Sequence, residues 1–139
     1  MNRVIFIIVL VSVIVVGCSR GDGEIRADAI PGAVPDILGT YVVNGVDHLN
    51  NEYGGHLTIT AGEHPGEFKF QWIIVESIQE GIGKLEGNQL LIEWKNIDDP
   101  GITYGGTVIY TITEDGELIG NRTVMGQIGE GRETAYPNQ

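Results

Sequence analysis

Phe68-Lys69-Phe70-Gln71-Trp72-Ile73-Ile74 reads FKFQWII, and its alternation decides the fold class. Phe68, Phe70, Trp72 and Ile74 fall on one face, with Lys69, Gln71 and Ile73 on the other. A period of two marks a strand with one buried face. Leu90, Ile92 and Trp94 repeat it, as do Val108, Tyr110 and Ile112, Tyr41 and Val43, and Leu57 and Ile59. No convincing helical period follows residue 37.

Extended along the chain, the pattern predicts eight strands at 38–44, 53–61, 66–76, 79–86, 89–95, 103–113, 117–124 and 131–136. Pro65-Gly66, Gly87-Asn88 and Asp115-Gly116 supply turn chemistry between them. No connection has room for the dozen or so residues that a parallel crossover requires. The expected fold is therefore all-β, an eight-stranded antiparallel up-and-down meander. Closure into a calycin-like barrel is preferred to a two-layer sandwich, because a barrel has no edges.

Alternate connections of a meander share an end. The segments 45–52, 77–78, 96–102 and 125–130 gather at one end, and the tight turns 62–65, 87–88 and 114–116 at the other. Binding residues favour long loops on a rigid scaffold. The long-loop end carries Asp47, His48, Asn50, Asn51, Glu52, Asp98, Asp99 and Glu130. Two segments, YGGHLTIT from Tyr53 and YGGTVIYTIT from Tyr104, echo each other. Their glycines read as relief for a bulge or a tight barrel bend.

The front of the chain is different. Arg3 precedes VIFIIVLVSVIVV at 4–16. That run is short of the roughly twenty residues of a membrane span and fits the apolar core of a secretory signal, about 7–15 residues. Val15-Val16-Gly17-Cys18 resembles the lipobox of bacterial lipoproteins. The resemblance implies cleavage before Cys18 and acylation of its thiol, palmitate included, with attachment to a membrane of the cell envelope. Ser19 in place of Asp implies the outer membrane or cell surface rather than the inner membrane. Cys18 is the only cysteine of the chain, so no intramolecular disulfide forms. The domain reading is a signal over 1–17, lipidated Cys18 with a flexible tether over 18–36, and a single β domain over 37–139. The tether composition, SRGDGEIRADAIPGAVPD, is that of a linker. Its Arg20-Gly21-Asp22 tripeptide, pressed against the lipid, reads as a polar start to that linker.

Eight basic residues face nineteen acidic ones, for a net charge of −11. A surface of that sign repels nucleic acid and anionic headgroups.

The pattern Gly39-Thr40-Tyr41-x-Val43-x-Gly45, Tyr53-x-Gly55-x-Leu57-x-Ile59, Phe68-x-Phe70-x-Trp72-x-Ile74 and Gly81-x-Gly83-x-Leu85-x-Gly87-Asn88 continues through Trp94, Tyr110, Gly120 and Gly129 to Pro137. As a whole it resembles a family of small, Gly-rich exported bacterial β proteins, some loosely labelled fibronectin-binding. The layout also resembles the calycins, such as lipocalins and avidins. The first resemblance implies an envelope binding module, and the second implies a small apolar ligand.

Among inward-facing residues, Tyr41, Trp72, Trp94 and Tyr110 read as packed core or as a ligand pocket. Gly81, Gly83 and Gly120 on the same face would leave space for such a pocket. Arg122 and Glu133 also face inward, and a symmetric last hairpin pairs them directly. A buried charge needs a partner, so the expectation is a structural ion pair. His48, His56 and His64 are scattered, and no metal site, cofactor or catalytic motif is expected. The function expected from sequence is non-enzymatic binding of a protein or matrix partner, associated with the envelope, at the long-loop end, or alternatively carriage of a small apolar ligand in a pocket inside the barrel.

Overall fold

The computed structural model describes residues 26–75, 77–99, 101 and 104–138. The signal, Cys18 and the Arg-Gly-Asp tripeptide lie outside them. Eight strands run in chain order: β1 Gly39–Val46, β2 Glu52–Ala61, β3 Glu67–Ile74, β4 Ser77–Glu86, β5 Gln89–Asn96, β6 Gly105–Ile112, β7 Leu118–Arg122 and β8 Gly131–Pro137. Each is antiparallel to its neighbours, and β1 pairs with β8 to close the barrel. The sandwich alternative is thereby excluded.

Alternation places one face of every strand in the lumen. Val43, Leu57, Trp72, Leu90, Val108, Tyr110, Ile112, Leu118 and Ala135 are each at 0% exposure. The glycines of the inner face do not leave a void. A Cβ on Gly81 would sit 2.9 Å from the Trp72 ring and 2.8 Å from Ile92. On Gly120 it would meet the Tyr110 ring at 2.7 Å. Rings and branched side chains take the space that the glycines vacate, so the middle of the barrel is solid.

The last hairpin differs from the symmetric expectation by two residues. Arg122 pairs with Gly131, and Glu133 pairs with Gly120. The reason lies in the residues after β7, which stay with β6: Thr123 N donates to Thr107 O at 2.8 Å and Met125 N to Gly105 O at 2.7 Å. A shift of two keeps both side chains on the inner face, so Arg122 and Glu133 still meet, diagonally.

Residues 27–36, which composition alone reads as tether, are docked on the barrel together with Ile37. Asp28 bridges Thr113. Ala29 N donates to Ile112 O at 2.8 Å, Glu114 N to Ala27 O at 2.9 Å, and Asn88 Nδ2 to Ala29 O at 2.9 Å. Pro31 and Gly32 form the centre of a turn closed by Ala33 N on Ile30 O, with Gly32 at φ 83°, the positive value that a type II turn requires of its third residue. Ala29 and Ile37 are each 3% exposed. Arg26 pairs with Glu117. This strap crosses the pole that carries the β2–β3, β4–β5 and β6–β7 turns, and seals it. Linker composition misleads here because two small apolar side chains and the backbone itself make the contact.

The opposite pole carries the β1–β2, β3–β4, β5–β6 and β7–β8 connections, and among the described residues no strap covers it. From Arg26 to Asn138 the chain is self-contained, with every strand paired on both sides and a core drawn from its own strands and strap.

Candidate ligand site at the barrel mouth

Glu133 is the deepest charge in the barrel, at 1% exposure. One oxygen, Oε2, accepts from Tyr53 Oη at 2.6 Å and from an Arg122 guanidinium nitrogen at 3.0 Å. The other, Oε1, accepts from Trp72 Nε1 at 3.0 Å and from the Tyr110 hydroxyl. An ionised carboxylate offers about four acceptor positions, and four donors fill them.

Two glycines make this convergence possible. In the strand register, Gly45 lies between Tyr53 and Glu133, and Gly120 lies between Tyr110 and Glu133. The row across β2, β1, β8, β7 and β6 is therefore Tyr-Gly-Glu-Gly-Tyr. A Cβ on Gly45 would sit 2.2 Å from the Tyr53 ring. With hydrogen alone at both positions, each tyrosine lies over its neighbouring strand and reaches the carboxylate. Burial first, and the Glu133 charge second, hold the Tyr53 and Tyr110 phenols well above the ordinary tyrosine range, so both stay donors.

Arg122 continues the network toward the open pole. Its guanidinium lies over two indoles, with centroids at 4.1 Å for Trp94 and 5.1 Å for Trp72, and such stacking favours the cation. A second guanidinium nitrogen donates to the Gln79 carbonyl. Gln79 Nε2 donates to Ser77 Oγ at 3.1 Å, and Ser77 Oγ to Asn96 Oδ1 at 2.8 Å.

Above this floor lies a mouth cavity of about 310 Å³. Tyr53, Gln79, Trp94 and Arg122 form its base, and Ile74, Val75, Tyr104 and Val124 its walls. Trp94 meets Tyr104 edge to face at 5.6 Å and donates from Nε1 to Thr123 O at 3.2 Å. Asp47 and His48 enter from the β1–β2 loop. Asp47 caps its own loop, accepting from Leu49 N, Asn51 N and Asn51 Nδ2 at 2.8–3.0 Å. The Asn51 side chain, more than any other contact, holds the Asp47 carboxyl below its usual range. His48 Nδ1 is buried and meets no hydrogen-bond partner among the described residues. Larger hollows of about 790 and 700 Å³ lie on the outer wall. They are lined mainly by solvent-facing strand residues such as Thr107, Ile109 and Glu93, and are concavities of the twisted sheet.

The four aromatic candidates are thus divided. Tyr41 lies toward the sealed pole, where its hydroxyl donates to Ile37 O at 2.9 Å; burial, then the Asp36 charge, pushes its phenol up to about 12. Trp72 and Tyr110 are fully enclosed around Glu133, and Trp94 alone reaches the mouth. Arg122 and Glu133 form an ion pair at 3.0 Å. His56 is on the outer face of β2 and His64 in the β2–β3 turn, both apart from His48. Sequence reasoning missed Tyr53, Gln79 and Tyr104. Tyr53 shares the face of Leu57 and Ile59, and Gln79 that of Gly81 and Gly83, so face parity alone would have found both.

The sequence matches no protein-family model and no curated protein. Solved structures of similar backbone are barrels. One is a redesigned β-barrel with TM-score 0.59 and 12% identity, covering 74% of this chain and 92% of the other. Another is a redesigned β-barrel, mFAP1, bound to DFHBI, with TM-score 0.59 and 13% identity, covering 73% of this chain and 94% of the other. At these identities the likeness shows the fold. The resemblance to exported Gly-rich proteins rests on strand and turn motifs alone.

The network generates two expectations. Arg122→Ala strands the Glu133 charge, and breaking a buried pair costs about 3–5 kcal/mol. The double variant with Glu133→Gln should unfold at higher denaturant than Arg122→Ala alone; equal stability of wild type and single variant would refute the pairing. Gly120→Ala should cost about 1–3 kcal/mol, the usual penalty of overpacking, measured by the same unfolding curves, with loss of the protected Tyr110 hydroxyl in NMR exchange.

Proposed function

We propose that this protein is a lipid-anchored binding barrel of the bacterial cell envelope, holding a small ligand in its mouth cavity without turning it over. The anchoring part is supported by the sequence of residues 1–18 and by nothing else. The binding part is carried by one observation. A cavity of about 310 Å³ at the long-loop pole has a polar floor tied by hydrogen bonds and a buried His48 Nδ1 that meets no partner among the described residues. Ligand sites are concave and largely apolar, with a few fixed polar groups, and span about 300–1,000 Å³. That a barrel of similar backbone is found bound to DFHBI supports the reading by analogy of fold.

Binding is favoured over catalysis because the strongest candidate base is spoken for. Glu133 has four donors on its four acceptor positions, and Arg122, Gln79 and Ser77 are tied to one another. Groups so committed orient a ligand and are poorly placed to exchange protons with it. Docking of a protein at the same pole is the second reading, favoured by the exposed loop side chains Leu49 and Met125.

The barrel from Arg26 onward, once its cooperative unfolding has been confirmed, should be titrated with a panel of aryl ketones, alkyl amides and alkyl carboxylates while tryptophan emission is followed. A saturable shift is expected, and Trp94→Phe should abolish it. No shift with any member would overturn the small-ligand reading and leave protein docking. For the anchor, Cys18→Ser should abolish palmitate incorporation into the full chain; unchanged incorporation would refute lipidation at Cys18.

A further inference from the structure

The mouth is graded in polarity from floor to rim, and the gradient specifies a class of ligand. At the floor, a guanidinium carries five N–H donors, and among the described residues Glu133 and Gln79 are the acceptors that Arg122 meets. Donor capacity therefore remains where Arg122 lines the cavity. Above it the walls are apolar and aromatic. At the rim, separate loops present large apolar side chains to water: Leu49 at 70% exposure, Val75 at 77%, Met125 at 80% and Ile128 at 96%. Isolated exposed apolar residues need no explanation, but a set gathered around one opening marks a binding surface.

Charge decides the ligand's head. Glu133 already neutralises Arg122, so an anionic head would leave the buried cluster with an uncompensated negative charge. A net charge of −11 over the whole chain adds to that penalty. An uncharged acceptor, the carbonyl of an amide or ester, takes the Arg122 N–H without it. His48 Nδ1, at the side of the cavity, can meet a second polar atom of the same head. The apolar remainder then continues past Trp94 and Tyr104 to the rim, where it covers Leu49 and Met125.

Resting on the small-ligand reading above, we infer that the mouth takes a neutral amphiphile head first, with a carbonyl on Arg122 and an alkyl or aryl body against the walls and rim. The polar head is buried and the apolar body lies toward the opening.

Octanamide and octanoate are close in shape and differ in head charge at neutral pH, which makes them the test pair. Titrated into the barrel with tryptophan emission as readout, octanamide should bind at least roughly tenfold more tightly than octanoate, a floor below the full cost of a buried charge left without a partner. Acetamide, the head without its chain, should show no saturation. The variant Leu49→Ser/Met125→Ser/Ile128→Ser changes exposed residues only, and should weaken octanamide several-fold with the unfolding midpoint unchanged. Octanoate binding as tightly as octanamide, or an unaltered affinity in the triple variant, would overturn the inference while leaving a ligand site in the mouth. Silence across the whole panel would remove the small-ligand reading itself.

Discussion

The barrel is organised around a single buried carboxylate. Glu133 is 1% exposed and removed from bulk solvent, so the fold survives only while donors meet both of its oxygens. Those donors come from β2, β3, β6 and β7, on both sides of β8 and across the lumen from it. Moving any of these strands by one residue would turn its donor to the outside. One side chain on the last strand thereby fixes the register of half the sheet. This explains why glycines stand at Gly45 and Gly120, where a methyl group would hold the tyrosines off their acceptor.

The same constraint explains the open pole. Arg122 is needed to balance Glu133, and its guanidinium is too large and too polar to be finished by Glu133 alone. Gln79, Ser77 and Asn96 extend the hydrogen-bond chain along β4 and β5, and two indoles cover the faces of the cation. Among the described residues, no strap crosses the far side of this cluster. The sealed pole has a simpler chemistry, small apolar side chains and backbone hydrogen bonds from the strap, and holds no cavity of this kind among the described residues.

Much of this was legible in the sequence, for physical reasons that differ between elements. The eight strands were readable because side-chain alternation is local: Phe68 to Ile74 cannot alternate in that way without a buried and a wet face. The antiparallel order followed from connection lengths. The meeting of Arg122 with Glu133 was visible from face parity, although the register was displaced by two because Thr123 and Met125 bond to β6. The strap was not legible, since Ala29 and Ile37 carry no period and their docking depends on a surface that exists only after closure. Nor was the role of Gly45 and Gly120. In sequence a glycine says that a side chain is missing, and only the register says whose ring fills the gap.

The strap sets a direction on the molecule. The chain joins the barrel at Arg26, on the sealed pole, and the mouth is at the other end of the barrel axis. A surface that holds the N-terminus therefore tethers the barrel from its sealed pole, the end opposite the mouth. The strap is also where tension arrives. Pulling on the N-terminus would load the Arg26–Glu117 pair, the Asp28–Thr113 bridge and the Ala29 hydrogen bonds before any strand of the barrel. These few contacts would peel first and leave the closed sheet, with its carboxylate and its mouth, intact on a longer leash.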